Sequence, residues 1–241
     1  MAVKKVVILA GGLGKRLRPL TLETPKPMIP VAGKPLIEWV LLNLKKHGIT
    51  DVILSIGHLS EKIKEHFGDG LALGMDIKYN VEKELLGTGG AVKDIVKKFN
   101  IHEPFVLVWG DTLMDTDFTK MINIFIKSHP KLVMALTERE DVEHFGVAKL
   151  VDGRIVGFVE KPKRENAPSR LINAGAFVID PVILDILPDG ISSIERDCFE
   201  KIAGAGEISA HIHDGYWYPS DSMEKYEKIK SDIDKGVFVL G

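Results

Sequence analysis

Hydrophobic positions along this chain of 241 residues alternate between two periods. Short β-branched runs separate stretches in which apolar side chains recur every three or four residues, the signature of βαβ units and a mainly parallel sheet. VVILA at 6–10 predicts the first strand. In PLIEWVLLNLKKHG, Ile37, Val40, Leu41 and Leu44 follow the i, i+3, i+4, i+7 rule, so a helix packs one face on that sheet and stops at Gly48. Strand DVILSI (51–56), helix SEKIKEHF (60–67) with Ser60 as its cap, and strand DIKYNV (76–81) follow, then an amphipathic helix marked by Val92, Ile95, Val96 and Phe99. FVLVWGD (105–111) is apolar until it ends in an acid, which predicts a central strand buried on both faces.

Past residue 130 the pattern changes. KLVMALT, FGVAKL, RIVGFVE and AGAFVI crowd together with turns such as Asp152-Gly153 between them, which predicts antiparallel pairing. Two helices close the pattern, around 194–204 and 221–235, with strand ISAHIH between them. The polar stretch KPKRENAPSR (161–170) predicts a mobile loop rather than a domain boundary, and no internal repeat is present.

Composition narrows the classes. The length suffices for one sizeable core without disulfide or metal staples. With 32 basic against 34 acidic residues, the chain lacks the strongly basic face of a nucleic-acid or anionic-membrane binder, so a small partner is expected. Cys198, the only cysteine, shares the apolar side of a helix with Ile194, Phe199 and Ile202 and reads as core. No apolar stretch approaches the ~18 residues of a membrane span, and 6–10 is too short for a signal-peptide core, so a cytoplasmic protein is expected. Charge is unevenly spread: residues 1–36 carry Lys4, Lys5, Lys15, Arg16, Arg18, Lys26 and Lys34 against Glu23 alone. That segment is suited to an anion.

Directly after the first strand stands GGLGKRLRPLT (11–21). Glycines at a strand end let backbone N–H groups approach a phosphate, and Lys15 and Arg16 add charge there. The dinucleotide fingerprint fails because Leu17 stands where a small residue is required; a P-loop fails because Gly14-Lys15 is followed by Arg16. Four prolines in PKPMIPVAGKPL (25–36) stiffen the segment carrying Lys26 and Lys34, which makes exposed, rigid anion clamps. Asp111 ends a buried strand, where Mg²⁺, a helix cap or a lysine partner would offset the cost of an unpaired carboxylate. Asp115 and Asp117 compete for the metal, or one of them caps helix DFTKMINIFIKS. Glu82 either accepts hydrogen bonds from a guanine edge or is a solvated acid at a strand end. His58, His144, His211 and His213 show no metal-ligand spacing, and His211 and His213 read as a surface pair.

The run LAGGLGKRLRPLTLETPKPMIPVAGKPL resembles the sugar-1-phosphate nucleotidylyltransferases. ELLGTGGA (84–91), WGD (109–111), FGV (145–147), EKPK (160–163), NAGAFV (173–178) and a Trp-containing motif at 217–221 extend the resemblance over almost the whole chain. It implies a single-domain, Rossmann-like (GT-A-like) α/β fold over residues 1–241 with a mixed, mostly parallel central sheet. A nucleotide-binding half would cover about 1–115 and a sugar-phosphate-binding half, with a small antiparallel lobe, about 116–241. The implied activity is Mg²⁺-dependent transfer of a nucleoside monophosphate from a nucleoside triphosphate to a sugar 1-phosphate, giving a nucleotide sugar and pyrophosphate. Arg16 and Lys26 are then catalytic. Leu9, Ala10, Gly11, Gly12, Gly14, Glu82, Gly87 and Thr88 bind the nucleotide, while Gly146, Glu160, Lys161 and Asn173 bind the sugar phosphate.

Around Glu82 to Gly90 the chain is most similar to the mannose-1-phosphate guanylyltransferases, which favours GTP with mannose 1-phosphate or a similar hexose or heptose 1-phosphate. A cytidylyl-, uridylyl- or thymidylyltransferase on glucose 1-phosphate is the alternative, and a non-catalytic nucleotide-sugar sensor ranks below both. Asp111 is the first Mg²⁺ ligand implied. Most of the family carries Trp-x-Asp for the second, but here Trp217-Tyr218-Pro219-Ser220-Asp221 puts proline at that place, a variant resembling the glucose-1-phosphate cytidylyltransferases. Asp221 becomes the replacement ligand or, with Glu224 three residues on, a capping-box cap. With so little chain after the last helix, the left-handed β-helix of many relatives is not expected. A homo-oligomer stays open.

Overall fold

The computed structural model describes residues 3–82 and 84–238. The chain packs as two compact units interleaved in sequence: a first of Lys4–Lys83, Val108–Thr116 and Gly215–Gly241, and a second of Met1–Val3, Glu84–Leu107 and Asp117–Asp214.

In the first unit three parallel strands lie side by side, with Asp51–Ile56 between Lys5–Leu9 and Asp76–Val81. Val6, Val7, Ile8, Val52, Ile53 and Leu54 are fully buried, which is why these strands read as continuous apolar runs. Register places Leu9 opposite Ser55 and Ser55 opposite Asn80, so both outer strands leave the sheet beside Ser55. The helix Leu36–Lys46 buries Ile37, Val40, Leu41 and Leu44 as its periodicity predicts, and the chain turns at Gly48 (φ 73°). Ser60 is the first helical residue of Ser60–Phe67 rather than its cap; Leu59, at φ 56°, occupies the cap position without a side-chain bond.

The glycine-rich loop stands on a core of its own. Leu17, Ile29, Val31, Leu36 and Leu113 pack with Tyr226, Ile229 and Phe238 from the end of the chain. Tyr226 Oη donates to Pro30 O (2.6 Å) and Trp39 Nε1 to Val31 O (2.9 Å). Burying an aliphatic side chain contributes about 1.5–3 kcal/mol, against about 1–2 kcal/mol to order one residue's backbone. Leu17 and Ile29 therefore hold a loop that glycines alone would leave loose. A two-stranded antiparallel ribbon, Thr112–Met114 with Trp217–Pro219, pairs Thr112 with Pro219. The helix Met223–Asp234 follows it, capped by Ser222, whose hydroxyl accepts from Lys225 N. Asp221 is thus not the cap.

The second unit carries the strands in the order Leu171–Ile179, Leu132–Glu138, Ile208–Ile212, Arg154–Glu160, Gly146–Val151. All neighbours are antiparallel except Ile208–Ile212, which runs parallel to Leu132–Glu138. Asp152 (φ 47°) and Gly153 (φ 76°) form the tight hairpin turn that their sequence predicts, since both central residues need positive φ. Asp117 caps Phe118–Ser128 by accepting from Lys120 N at 2.9 Å. The helix predicted around 194–204 is a π turn, Glu195–Phe199, running into Glu200–Ala203. Cys198 is fully buried in it, and burial pushes its thiol up to about 12. The polar stretch 161–170 contains a short 3-10 turn, Arg164–Asn166. His211 and His213 are buried, not a surface pair; burial, reinforced by His213, holds His211 below its ordinary value. Helix Phe118–Ser128 packs over their strand and supplies that cover.

Candidate active site

Ten of the residues singled out from sequence fall in the first unit: Leu9, Ala10, Gly11, Gly12, Gly14, Arg16, Lys26, Glu82, Asp111 and Asp221. Ala10 N donates to Ser55 O (2.8 Å) as the chain leaves the first strand. Gly12 has open space where a side chain would stand, which leaves its backbone uncovered. Gly14 adopts φ 58°, and a Cβ there would meet Thr21 Cγ2 at 2.7 Å and Lys26 Cβ at 3.1 Å. Thr21 Oγ1 donates to Gly14 O at 2.8 Å and fixes the turn. Only glycine combines that φ with that contact.

Two cations with different surroundings follow. Arg16 projects from the loop with 74% of its side chain exposed, and one guanidinium nitrogen lies 3.1 Å from Asp221 Oδ2. Lys26, expected to be exposed, is buried; 9% of its side chain reaches solvent. Its Nζ donates to Asp111 Oδ2 at 2.5 Å. Desolvation pushes the Asp111 carboxyl up, but the Lys26 ammonium outweighs it and holds the group below its ordinary value. A lysine is buried at such a place because its partner offsets the desolvation.

Asp111 and Asp221 stand at the same end of the two-stranded ribbon. Ser220 N and Ser220 Oγ both donate to Asp111 O, at 2.9 and 2.8 Å, which ties the backbone of one acid to the residue before the other. Asp221 Oδ1 sits 2.9 Å from Lys225 Nζ. Among the described residues no set of three or more His, Cys, Asp or Glu side chains is placed to enclose a metal ion. Two carboxylates with hard oxygen donors suit Mg²⁺, which takes one or two carboxylates and completes its shell with phosphate oxygens and water. The donor set fits that ion.

Glu82 is not a solvated strand end. Its Oε1 accepts from Ser55 Oγ at 2.7 Å, and a Cβ on Gly11 would come within 2.9 Å of the same oxygen. The carboxylate therefore lies against the loop backbone, and Gly11 leaves it the room.

The remaining nucleotide and sugar-phosphate candidates, Gly87, Thr88, Gly146, Glu160, Lys161 and Asn173, lie in the second unit. Gly87 and Thr88 open the helix Gly87–Lys98. A Cβ on Gly87 would meet Ser192 O at 2.4 Å, and one on Gly90 would meet Gly190 O at 2.2 Å, so close packing on 190–192 already requires those glycines. Thr88 Oγ1 donates to Glu195 Oε2 (2.6 Å) and accepts from Ile194 N (3.0 Å). Gly146 pairs with Glu160 across a hairpin, and a Cβ on it would meet Phe158 at 2.2 Å and Glu160 Oε2 at 2.8 Å. Burial, with Glu195 adding to it, raises Glu160, while Lys161 Nζ, 3.2 Å away, opposes the shift. Lys161 itself has φ 51°, a strained conformation of the kind found at functional sites. Asn173 Oδ1 accepts from Gly175 N (2.8 Å) within an irregularity that breaks the pairing with Leu132–Glu138 between Asn173 and Phe177.

Sequence reasoning missed Ser55, Ser220, Lys225 and Glu195. Ser55 left one signal, a lone hydroxyl in an otherwise apolar run; the rest depend on pairings no spacing announces.

A glycine-rich loop, two cations beside it and two carboxylates at one ribbon end are thus gathered on an α/β scaffold. The chain belongs to the nucleotidyl transferase family, whose pattern matches residues 5–235. It is 33% identical over 235 residues to a mannose-1-phosphate guanylyltransferase of Mycobacterium tuberculosis, covering 96% of this chain and spanning 65% of that longer relative. It is 34% identical over 232 residues to the D-glycero-alpha-D-manno-heptose 1-phosphate guanylyltransferase of Aneurinibacillus thermoaerophilus, covering 95% of this chain and 98% of that one. Relatives named for uridylyl and cytidylyl transfer to glucose 1-phosphate match as well. A solved UDP-glucose pyrophosphorylase superposes with a TM-score of 0.85 at 25% identity, over 98% of this chain and all of the other. The α/β fold expected from the N-terminal signature is thereby established.

Proposed function

We propose that this protein transfers GMP from GTP to mannose 1-phosphate or a similar hexose or heptose 1-phosphate, with Mg²⁺, releasing pyrophosphate. The observation that carries the reading is the Glu82 carboxylate held against Gly11, at the mouth of the phosphate loop. A carboxylate accepts from the N1 and N2 hydrogens of guanine; uracil, thymine and cytosine offer no such pair. Two relatives named as guanylyltransferases support the choice.

The reaction brings together at least five negative charges, so the protein's work is positioning and charge stabilisation rather than covalent catalysis. The backbone of Gly11, Gly12 and Gly14 holds the triphosphate. Arg16, held by a single ion pair at the surface, swings from Asp221 to phosphate oxygens and counters charge as the pyrophosphate leaves. Lys26 has little freedom to move; it fixes the orientation of Asp111 and contributes a cation beside the α-phosphate. Asp111 and Asp221 would hold Mg²⁺, which supplies positive charge to the phosphates when bound. Lys161 receives the sugar phosphate, and Glu160 and Asn173 accept or donate to sugar hydroxyls.

The Trp-x-Pro-x-Asp motif favours a second reading, a cytidylyltransferase on glucose 1-phosphate. Pyrophosphate release measured with five nucleoside triphosphates against mannose, glucose, galactose, N-acetylglucosamine and heptose 1-phosphates tests both. GTP leading the ranking is the expected result; CTP leading it with glucose 1-phosphate overturns it. Tight nucleotide-sugar binding with no turnover for any pair would make the protein a sensor.

A further inference from the structure

We infer that Ser55 is a positioning residue for base recognition: its hydroxyl aims the Glu82 carboxylate at the base and so sets which nucleoside triphosphate is taken. The inference rests on the reading of Glu82 as the guanine acceptor.

Ser55 is fully buried in the middle strand of three, one residue from its end. Its strand neighbours Leu54 and Ile56 are apolar and fully buried, and burying a hydroxyl in such a layer is costly unless both its donor and its acceptor capacity are used. They are. Asn80, opposite it on the next strand, places its amide Nδ2, a donor only, 3.5 Å from Ser55 Oγ. A lone pair of the hydroxyl faces that amide, which leaves the single proton for Glu82 Oε1 at 2.7 Å. The Ser55 main chain also accepts from Ala10 N, and Ile56 O accepts from Glu82 N at 2.9 Å. One residue thus ties the start of the glycine-rich loop to the acid that follows the third strand. This is the carboxyl end of a parallel sheet, where open α/β folds bind their ligands.

The arrangement restricts Glu82 in a specific way. Oε1 is engaged by Ser55 and packed on Gly11, where a Cβ would stand 2.9 Å from Oε1 but 3.6 Å from Oε2. A carboxylate with one oxygen anchored cannot spin about its terminal torsion, and it presents a defined edge. A freely rotating carboxylate, or one turned away, would accept from guanine less well and discriminate less against other bases. A hydrogen bond to a charged group contributes enough for its loss to weaken binding about tenfold.

Direct titration of the whole protein with GTP, CTP and UTP tests this, using wild type, Ser55→Ala, Glu82→Gln and the double variant, together with kcat and KM for each triphosphate. The expected result is a GTP affinity about tenfold weaker in Ser55→Ala, with CTP and UTP affinities and the kcat at saturating GTP within about twofold of wild type. In the Glu82→Gln background, Ser55→Ala should change the base ranking no further. Ser55→Thr, which keeps the hydroxyl, should restore the preference. Loss of GTP, CTP and UTP affinity in parallel, or no loss at all, overturns the positioning role while a base ranking altered by Glu82→Gln leaves the guanine reading intact. A ranking unmoved by Glu82→Gln overturns both.

Discussion

Lys26 Nζ and Asp111 Oδ2 stand 2.5 Å apart, a cation from the proline-rich segment closed on an acid that lies not at the end of a buried strand, as its sequence suggests, but in the turn that leads into Thr112–Met114. The pair separates the two clamp cations into different physical classes. Arg16→Ala removes an exposed side chain and should lower turnover on the order of 10²–10³ with an unchanged melting temperature. Lys26→Ala should lose turnover and also about 1–2 kcal/mol of stability, because it leaves Asp111 without its counter-ion and opens a hole in packed structure. Thermal unfolding beside steady-state kinetics checks both; equal melting temperatures for the two variants would contradict the distinction.

Asp221 and Ser222 are adjacent but do different jobs. Since Ser222 caps the last helix, Ser222→Ala should cost about 1 kcal/mol and leave the Mg²⁺ dependence alone. Asp221→Asn should do the reverse: a sharply raised Mg²⁺ requirement at nearly unchanged stability. Magnesium titrations of both variants decide it, and an Asp221→Asn protein with wild-type metal dependence would remove that acid from the ion's ligands.

Glu160 gives a pH prediction with a definite sign. Burial and Glu195 raise its folded value above the unfolded one, so the folded chain binds the proton more tightly and stability falls as pH rises from the unfolded value through the folded one. Replacing it by Gln should therefore raise the melting temperature at pH 7 but not near pH 4, where both forms are protonated. The same variant should weaken sugar 1-phosphate binding. A stability gain of equal size at both pH values would show that ionisation is not its source.

Cys198 should resist alkylation. A thiol pushed up to about 12 is thiolate in only about one molecule in ten thousand at pH 8, and this one is fully buried as well. Mass spectrometry after iodoacetamide should show modification only once the protein is unfolded. Rapid modification of the native protein would mean that the π turn opens.

Much of this architecture is legible in the chain. Strands such as Asp51–Ile56 and Arg154–Glu160 coincide with their apolar runs because burial on one or both faces leaves a direct mark in residue type. The Asp152-Gly153 turn is equally plain, since few residues tolerate its backbone angles. What escapes depends on a partner far away in sequence. Nothing local announces that Lys26 is buried, because the acid that makes burial tolerable lies 85 residues on. His211 and His213 read as a surface pair because strand alternation fixes only that they share a face, not which face a helix will cover. At the last helix, Asp221 and Ser222 are both good caps, and the choice between them is made by Arg16 and Lys225, which engage the aspartate.

The hydrophobic support beneath the glycine-rich loop has a consequence for how the molecule is made. Leu17 and Ile29 rest on Tyr226, Ile229 and Phe238, and Arg16 meets Asp221 across most of the chain's length. Contacts of such high sequence separation form late, after the cost of closing a long loop has been met. On the ribosome the glycine-rich loop cannot complete its shape until the residues near 220–238 have followed, so it stays an open segment until they are made. Any binding that the loop supports then becomes a report on completed folding, acquired only when two segments far apart in sequence have met.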